Sequence, residues 1–268
     1  MAWPTYILVT GAAGFIGAHV VDTLLSRGFR DNEAELILPA INGVKAVLSA
    51  AARAGTVQRV VITSSFAAVL DVDRVQKATK YFTYTAGDWN PLTYEEAANA
   101  ERSAVVAYRG SKKFAELAAW EFVNNFGGPE GRSSFDIVTL CPPMTFGPVV
   151  HPVVGGPLGL NDSNGQLWKV AIALQEGKGL PAARVPFWVE VRDLAEAHVE
   201  ALLRPEAGGK RYLSEFPDFR GWGGEEVRTQ IVDESHGIDG ETASKELGIR
   251  YRAFRETVID LMRQAAAM

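Results

Sequence analysis

The stretch that most constrains this chain covers residues 6–25, YILVTGAAGFIGAHVVDTLL. Apolar or β-branched residues at 7–10 run straight into Gly11, Gly14 and Gly17, and an apolar helical repeat follows. The pattern predicts a strand, a glycine turn and a helix. Glycines at these positions permit a tight turn, the close approach of a pyrophosphate to backbone N–H groups, and close packing of the helix on the strand.

The predicted helix would present free amides and its positive dipole end to that turn, which favours phosphate binding. A glycine-rich turn without a ligand is the alternative. The turn follows the first strand of the chain, however, and the apolar repeat of the helix begins directly after it, which favours a nucleotide site. The residues expected to contact the cofactor here are Gly11, Ala13, Gly14, Phe15, Ile16 and Gly17.

Composition limits the function classes. With 268 residues, 47% hydrophobic and 22% charged, the sequence is typical of a soluble globular protein. A net charge of -5 argues against nucleic-acid binding. The single Cys141 excludes an internal disulfide, and the four histidines lack a second ligand at metal spacing, so no metal site is expected. The sequence shows neither a signal peptide nor an apolar run of membrane length, so we expect no membrane partner and a cytoplasmic location.

The segment after Gly28 departs from the pattern of a parallel sheet. Residues 31–55 read as a second helix that no strand precedes, and Pro39 is expected either to kink this helix or to mark its true first turn. In a dinucleotide fold, the residue that reads the adenosine ribose follows the glycines by about twenty positions. Glu33 and Glu35 are near that place, but acids at the head of a helix are favoured by the dipole without any ligand.

A buried strand is predicted over residues 57–65, and it ends in Thr63, Ser64 and Ser65. Ligands of open α/β sheets sit beyond the carboxyl ends of the strands, so these hydroxyls are placed where chemistry occurs. We expect Thr63 and Ser64 to contact the cofactor. A hydroxyl turn that merely closes the strand is an equal alternative from these residues alone.

The next helix is predicted over residues 107–126, and it carries Tyr108 and Lys112 on one face, one turn apart. A Lys four residues after a Tyr occurs often by chance, so the pair alone proves little. The functional interpretation requires the Lys112 charge to lower the pKa of the phenol from about 10, so that Tyr108 can pass a proton.

Another buried strand, residues 135–140, breaks at Cys141 and two prolines, which leaves Pro142 near the cofactor end of the sheet. Cys141 is expected to pack rather than to act as a nucleophile. Later elements are a helix around 167–174, a short strand at 187–189, a strand at 210–213 and a helix at 252–267. Asp193 is predicted to cap a helix over 194–203, rather than to form a catalytic pair with Arg192. Residues 71–102 and 221–240 read as largely irregular.

Taken in order, these motifs resemble the extended short-chain dehydrogenases/reductases. The segments NGVKAVLSAA, TSSFAAV, DWNP, AYRGSKKFAELAAWEF and VEVRDLAEAH resemble, more closely, the NADPH-dependent ketone and aldehyde reductases grouped with methylglyoxal reductase and dihydroflavonol reductase. The resemblance covers most of the chain. It implies NADP as the cofactor, in preference to NAD.

The resemblance also implies roles for individual residues. Ser65 matches the catalytic serine, Tyr108 the acid, and Lys112 the lysine that binds the ribose. Asn42 matches a helix asparagine that supports the active site in relatives, and Pro142 begins the turn that faces the nicotinamide. Cys141 stands where relatives commonly have Asn.

Members of the family carry several dozen residues between the equivalents of Arg30 and Asp31, which form three strands and hold the basic residue that reads the 2′-phosphate. This sequence has none of them, and a smaller omission is expected at 215–218. Loss of three strands would leave hydrogen bonds and apolar faces uncovered. We therefore favour a sequence that joins segments separated in the natural protein over a severely altered protein.

The resulting expectation is a doubly wound parallel α/β fold with a small C-terminal substrate lobe. The dinucleotide-binding domain would comprise residues 1–149 with 187–204 returning to it, and the lobe 150–186 and 205–268. The pocket for a small carbonyl substrate would be shaped by Phe66, Met144, Phe146 and Trp188. Two alternatives stay open: a nucleotide-sugar epimerase or dehydratase, and a non-catalytic nucleotide sensor. The chain is expected to be a monomer or a homodimer.

Overall fold

The computed structural model describes residues 9–10, 32–77, 80–99, 101–125, 135–177, 187–214 and 236–268. The predicted glycine turn at 11–17 and the expected omissions at 30/31 and 215–218 lie outside these residues. The six cofactor contacts assigned to that turn therefore stay predictions.

The described elements are numbered here in chain order. The strands are β1 (Val9–Thr10), β2 (Arg59–Thr63), β3 (Phe82–Tyr84), β4 (Asp136–Cys141), β5 (Met144–Phe146), β6 (Trp188–Glu190), β7 (Arg211–Leu213) and β8 (His236–Ile238). The helices are α1 (Leu38–Ala54), α2 (Val72–Lys77), α3 (Tyr94–Ala98), α4 (Ala104–Asn125), α5 (Asp162–Gln175), α6 (Val191–Leu203), α7 (Glu241–Leu247) and α8 (Phe254–Ala266). Short 3-10 turns cover Phe66–Ala68, Gly156–Gly159 and Pro205–Ala207.

The largest sheet contains four parallel strands in the order β1-β2-β4-β7. In register, Val61 of β2 stands between Val9 of β1 and Val138 of β4, and Thr139 of β4 pairs with Arg211 of β7. Two smaller parallel pairs, β3 with β8 and β5 with β6, complete the described strands. All strand pairs are parallel, as the buried apolar runs predict.

Helices cover both faces of the four-stranded sheet. Val60 and Ile62 of β2 pack with Leu48 of α1 and Ala119 of α4. The strand residues that alternate with these point to the other face of the sheet, where they pack against α6 and α7. This second cluster includes Val61, Val138, Leu140, Leu194, Ala197, Ala201 and Leu247. This two-sided burial confirms the predicted doubly wound, Rossmann-like α/β fold.

The helix predicted over 31–55 is confirmed, and Pro39 does not break it. A π-helical turn at Glu33–Ile37 continues into α1, and Pro39 occupies the first turn of the regular part. Since proline lacks an N–H donor, a change of hydrogen-bond spacing at this point costs little. Gly55 ends the helix with φ 65°, the left-handed conformation that glycine adopts readily.

The same helix corrects one expectation from the sequence. Residues Glu33–Ala54 form a helix long and apolar enough to cross a membrane, with a mean hydropathy of 1.3. Core helices of soluble proteins pass this test of length and composition, and Leu48 and Ala51 of this helix are buried in the core beneath the sheet. We interpret it as a layer of the fold.

The cap of α6 differs from the prediction. The helix begins at Val191, and its N-cap is Glu190, whose side chain accepts hydrogen bonds from the backbone N–H groups of Arg192 and Asp193. Asp193 lies inside the first turn, fully buried, and accepts from the backbone N–H and the guanidinium of Arg252. The expectation that Asp193 is the cap was wrong because Glu190 stands at the N-cap position and binds those amides, whereas the Asp193 carboxylate binds Arg252.

Several short elements were not predicted. Residues 71–102 hold α2, β3 and α3, and β8 lies within the stretch predicted to be loop-like. Each of these strands has three residues, which is too short for a periodic pattern, and their pairing joins segments more than 150 positions apart.

Candidate active site

Ser65 stands directly beyond β2 with an extended backbone, at φ -160° and ψ 150°. Its Oγ accepts a hydrogen bond from the backbone N–H of Ala67 at 3.1 Å and so caps the 3-10 turn that follows. The Ser65 side chain also interacts with the Tyr108 phenol and acts to lower its pKa. The serine therefore closes the strand, as one of the two interpretations expects, and its side chain also lies beside the phenol, while its catalytic role stays a prediction.

Tyr108 and Lys112 share one face of α4, as their spacing predicts. The Lys112 Nζ atom lies 5.7 Å from the centroid of the Tyr108 ring. Gly110 between them is buried and lies directly against Ala97 of α3, so any side chain there would collide with that helix. This close contact fixes α4 against α3 on the side of the helix away from Tyr108 and Lys112, and the structure brings Ser65, Tyr108 and Lys112 together.

Burial governs the ionisation of the Tyr108 phenol. Its pKa is raised above the ordinary value of 10.0, first by burial and also by the nearby carboxylate of Asp162, while the hydrogen bond with Ser65 acts in the opposite direction. We expected Lys112 to lower this pKa. Without cofactor the pKa is raised on balance because burial is the largest effect, and the influence of Lys112 on the phenol stays a prediction.

Burial acts on Lys112 as well, and it lowers the pKa of the ammonium. Within the described part of the chain, no carboxylate forms an ion pair with this side chain. A cation that lies beside Tyr108 without a carboxylate partner is suited to a ligand that offers hydroxyl oxygens.

Thr63 and Ser64, which we expected to contact a cofactor, direct their hydroxyls to protein groups. Thr63 Oγ1 lies 2.7 Å from His198 Nε2, and His198 Nδ1 lies 2.7 Å from the carbonyl oxygen of Leu194. A carbonyl only accepts, so Nδ1 carries the proton and Nε2 accepts from Thr63. Burial lowers the pKa of His198, which favours this neutral form.

Ser64 is buried and donates from Oγ to Glu116 Oε2 at 2.6 Å. This corrects the expectation for its side chain: the hydroxyl points into the core because a buried carboxylate on α4 requires donors. Neither His198 nor Glu116 was identified from the sequence. A histidine one turn after Leu194 and a glutamate four residues after Lys112 were the available signals.

The turn after β4 is joined to the serine turn. The carbonyl oxygen of Pro142 accepts from the backbone N–H of Phe66 at 2.8 Å, so the two strand ends are tied beyond the sheet. Cys141 is fully buried, and burial with the nearby Glu116 raises the pKa of its thiol, which agrees with packing rather than nucleophilic chemistry.

Two of the four predicted pocket residues lie in the core instead. Phe66 is 4% exposed and makes edge contacts with Tyr84 and Phe187, with ring centroids 5.3 and 5.6 Å apart. Trp188 is 1% exposed and packs edge-on against Phe254 at 4.7 Å. These large rings fill the space between strands, which sequence patterns do not distinguish from a pocket wall.

Met144 and Phe146 on β5 are half-buried and pack against the layer formed by Trp188, Phe254 and Val258, so their place in a pocket stays a prediction. Asn42, expected to support the site, is exposed on α1. The packed face of this helix contains Ile41, Val44 and Leu48, and Asn42 lies off that face, so the described residues do not bring it to Ser65.

Comparison with known proteins places the chain in a family. No family model matched. An uncharacterized oxidoreductase of Schizosaccharomyces pombe is 31% identical over 95% of both chains. An NADPH-dependent methylglyoxal reductase of Saccharomyces cerevisiae is 32% identical over 87% of this chain and 71% of its own. The crystal structure of Gre2 with NADPH from Candida albicans has a TM-score of 0.71 and 30% identity, over 89% of this chain and 73% of its own.

This chain belongs to the family of methylglyoxal reductases and ketoreductases within the extended short-chain dehydrogenases/reductases. It is therefore an oxidoreductase. The resemblance inferred from the sequence motifs is confirmed.

The alignment with the S. pombe relative also bears on the length of the chain. It extends over 332 positions, which exceeds the 268 residues of this chain by 64, so at least that many aligned positions have no residue of this chain opposite them. A difference of this size fits the several dozen residues that the family implies between Arg30 and Asp31.

Proposed function

We propose that this protein reduces a ketone or an aldehyde to an alcohol with NADPH, and that Ser65, Tyr108 and Lys112 carry the reaction. The observation that supports the proposal is their convergence beyond the carboxyl end of β2, where the Ser65 side chain interacts with the Tyr108 phenol and Lys112 Nζ lies 5.7 Å from the same ring. The names of the yeast relative and of the Candida structure support NADPH as the cofactor.

The residues present fit that cofactor. Lys112 lies beside Tyr108 and, among the described residues, forms no ion pair with a carboxylate, so its donors are available to the hydroxyls of a nicotinamide ribose. Pro142 lies in the turn tied to the backbone of Phe66 and would border the nicotinamide. Residues 11–17 would hold the pyrophosphate.

The bound cofactor would supply a hydride to the carbonyl carbon. The chain's own residues act on the carbonyl oxygen. Ser65 hydrogen-bonds that oxygen and orients the substrate, and Tyr108 transfers its phenolic proton to it as negative charge develops. The raised pKa of Tyr108 keeps the phenol protonated at neutral pH, which is the form that a proton donor needs. Lys112 holds the ribose beside the ring and offsets the charge left on Tyr108.

The substrate is expected to be a small carbonyl compound that contacts Met144 and Phe146, the two half-buried apolar side chains on β5. The test is NADPH oxidation followed at 340 nm against a panel of ketones, aldehydes and a nucleotide sugar. Oxidation with simple carbonyl compounds supports the proposal. Turnover of the nucleotide sugar without net NADPH consumption would indicate an epimerase, and binding without turnover of any compound would indicate a sensor.

The preference for NADPH depends on a residue that the sequence does not contain. An acid at the end of the second strand would favour NAD, whereas an Arg there would bind the 2′-phosphate of NADP. We propose that the natural protein carries further residues between Arg30 and Asp31, including such a base. Intact mass tests this. A mass of 29.0 kDa would mean that the segment is gone, with weak cofactor binding expected, and a larger mass with preference for NADH would overturn the cofactor assignment.

A further inference from the structure

The polar face of α4 does not end at Lys112. Glu116 follows Tyr108 and Lys112 at the same spacing of four, and its side chain is 2% exposed, beneath the end of the sheet. A carboxylate is rarely buried to this degree unless its oxygens are satisfied by donors. The contacts of Glu116 therefore show what its burial accomplishes.

Donors from three elements converge on this carboxylate. Thr139 Oγ1 and Arg211 Nε donate to Oε1 at 2.7 and 2.8 Å. Ser64 Oγ and Arg211 Nη2 donate to Oε2 at 2.6 and 3.2 Å. Glu116 thus connects α4 to the interior of β4, to the first residue of β7 and to Ser64, which directly precedes Ser65.

Arg211 extends the network to the other side of the serine turn. Its guanidinium donates to the carbonyl oxygens of Ala86 and Asp88 and lies 3.8 Å from the centre of the Trp89 ring. Asn90, at the end of that loop, donates from its side chain to the carbonyl oxygen of Ala67 at 3.0 Å. The buried Glu116–Arg211 ion pair is thus connected to both sides of Ser65. Glu116 binds Ser64 directly, and Arg211 binds the loop whose Asn90 binds Ala67.

Stability alone is a weak reason to bury such a pair. Removing two charges from water costs several kcal/mol, and well-packed apolar residues often serve stability equally well. The charged pair contributes defined geometry, because each hydrogen bond depends on distance and angle and so fixes its donor group in position. The residues fixed here lie within three positions of Ser65.

We propose that Glu116 is a positioning residue for carbonyl reduction, which holds Ser64 so that the Ser65 hydroxyl faces Tyr108. The inference rests on the proposed function. Glu116 touches neither substrate nor cofactor, and acts through the Ser64 hydrogen bond at Oε2. Thr139 binds the other oxygen of the same carboxylate and provides a matched control, since its hydroxyl donates to Glu116 from within β4 and not from the residue before Ser65.

The deciding experiment compares Ser64→Ala with Thr139→Val in the full chain. Each variant removes one hydroxyl from Glu116. We expect Ser64→Ala to lower kcat about tenfold with the KM for NADPH unchanged, because the loss of one hydrogen bond allows Ser65 to drift from Tyr108. Thr139→Val should keep kcat within about twofold. Equal losses in the two variants, or a change of Ser64→Ala confined to KM, would overturn the proposal.

A double-mutant cycle tests the route. If Glu116 acts through Ser64, adding Ser64→Ala to Glu116→Gln should lower kcat by less than about twofold more, whereas independent effects would multiply. Multiplication overturns the proposal. Should Glu116→Gln not fold, the first comparison decides by itself. Failure of the proposed function would look different, because the wild-type chain would then oxidise NADPH with none of the carbonyl compounds.

Discussion

Helix α4 contains two polar sites that differ in how their charges are satisfied. At Tyr108 and Lys112, a cation lies beside a phenol, and the described residues provide it with no carboxylate partner. One turn further along, the charge of Glu116 receives hydrogen bonds from Ser64, Thr139 and Arg211. Both sites are removed from bulk water to a large extent, and among the described residues protein partners saturate only the Glu116 site.

The difference distinguishes a site that can bind a ligand from a site that only holds its neighbours in place. A buried charge without a protein partner is costly unless a ligand completes it, so the first site is the one expected to bind. A saturated carboxylate has no capacity left for a ligand and can only fix its neighbours. Variants at the first site should therefore affect turnover much more strongly than variants at the second.

The largest effect is expected from Tyr108→Phe. The substitution keeps the ring and removes the proton donor, so turnover should fall by about two to four orders of magnitude while NADPH binding survives. The measurements are kcat for NADPH oxidation and the Kd of NADPH by fluorescence. Near-normal turnover would refute the assignment of Tyr108 as the acid.

Ser65→Ala is expected to have the next largest effect, with a loss of about 100-fold in kcat, because one hydrogen bond to the developing oxyanion disappears. Ser64→Ala, whose hydroxyl binds Glu116 rather than the substrate, should cost less. Steady-state kinetics of the two variants side by side provides the check. Equal or reversed losses would transfer the catalytic role to Ser64.

Lys112→Ala should weaken NADPH binding and lower turnover, each by about tenfold, because one ammonium is expected to hold the ribose and to offset charge on Tyr108. Lys113→Ala is the matched control, since the neighbouring ammonium donates to the carbonyl oxygen of Leu92 and not toward Tyr108. If Lys112→Ala changes only affinity or only turnover, the dual role is incorrect.

Local sequence predicted the frame of this site well. The apolar runs predict β2 and β4, and the spacing of four predicts that Tyr108 and Lys112 share a face, because both properties are set by neighbours in the chain. Motif order identified the family for the same reason.

The partners of Thr63 and Ser64 could not be predicted in this way. Their hydroxyls bind His198 and Glu116, which are 135 and 52 positions away, and sequence spacing carries no information on such contacts. Phe66 and Trp188 were assigned to a pocket because an aromatic residue near a strand end reads the same in a core or in a pocket wall. Only packing against Tyr84, Phe187 and Phe254 distinguishes the two.

The smallest effect concerns the ionisation of Tyr108 in the enzyme without cofactor. Burial and the carboxylate of Asp162 raise the pKa of the phenol above 10.0, so the group should stay protonated as the pH rises from 8 to 10. The measurement is the ultraviolet difference titration of the wild-type chain against Tyr108→Phe, in which tyrosinate absorbs near 295 nm. We expect no difference attributable to Tyr108 below pH 10. A tyrosinate signal from this residue at lower pH would mean that the charge of Lys112 outweighs burial even without a ligand. Lys112 would then act on the phenol directly, whether or not a ribose is bound, and the contrast between the two ends of the α4 face would rest on that effect.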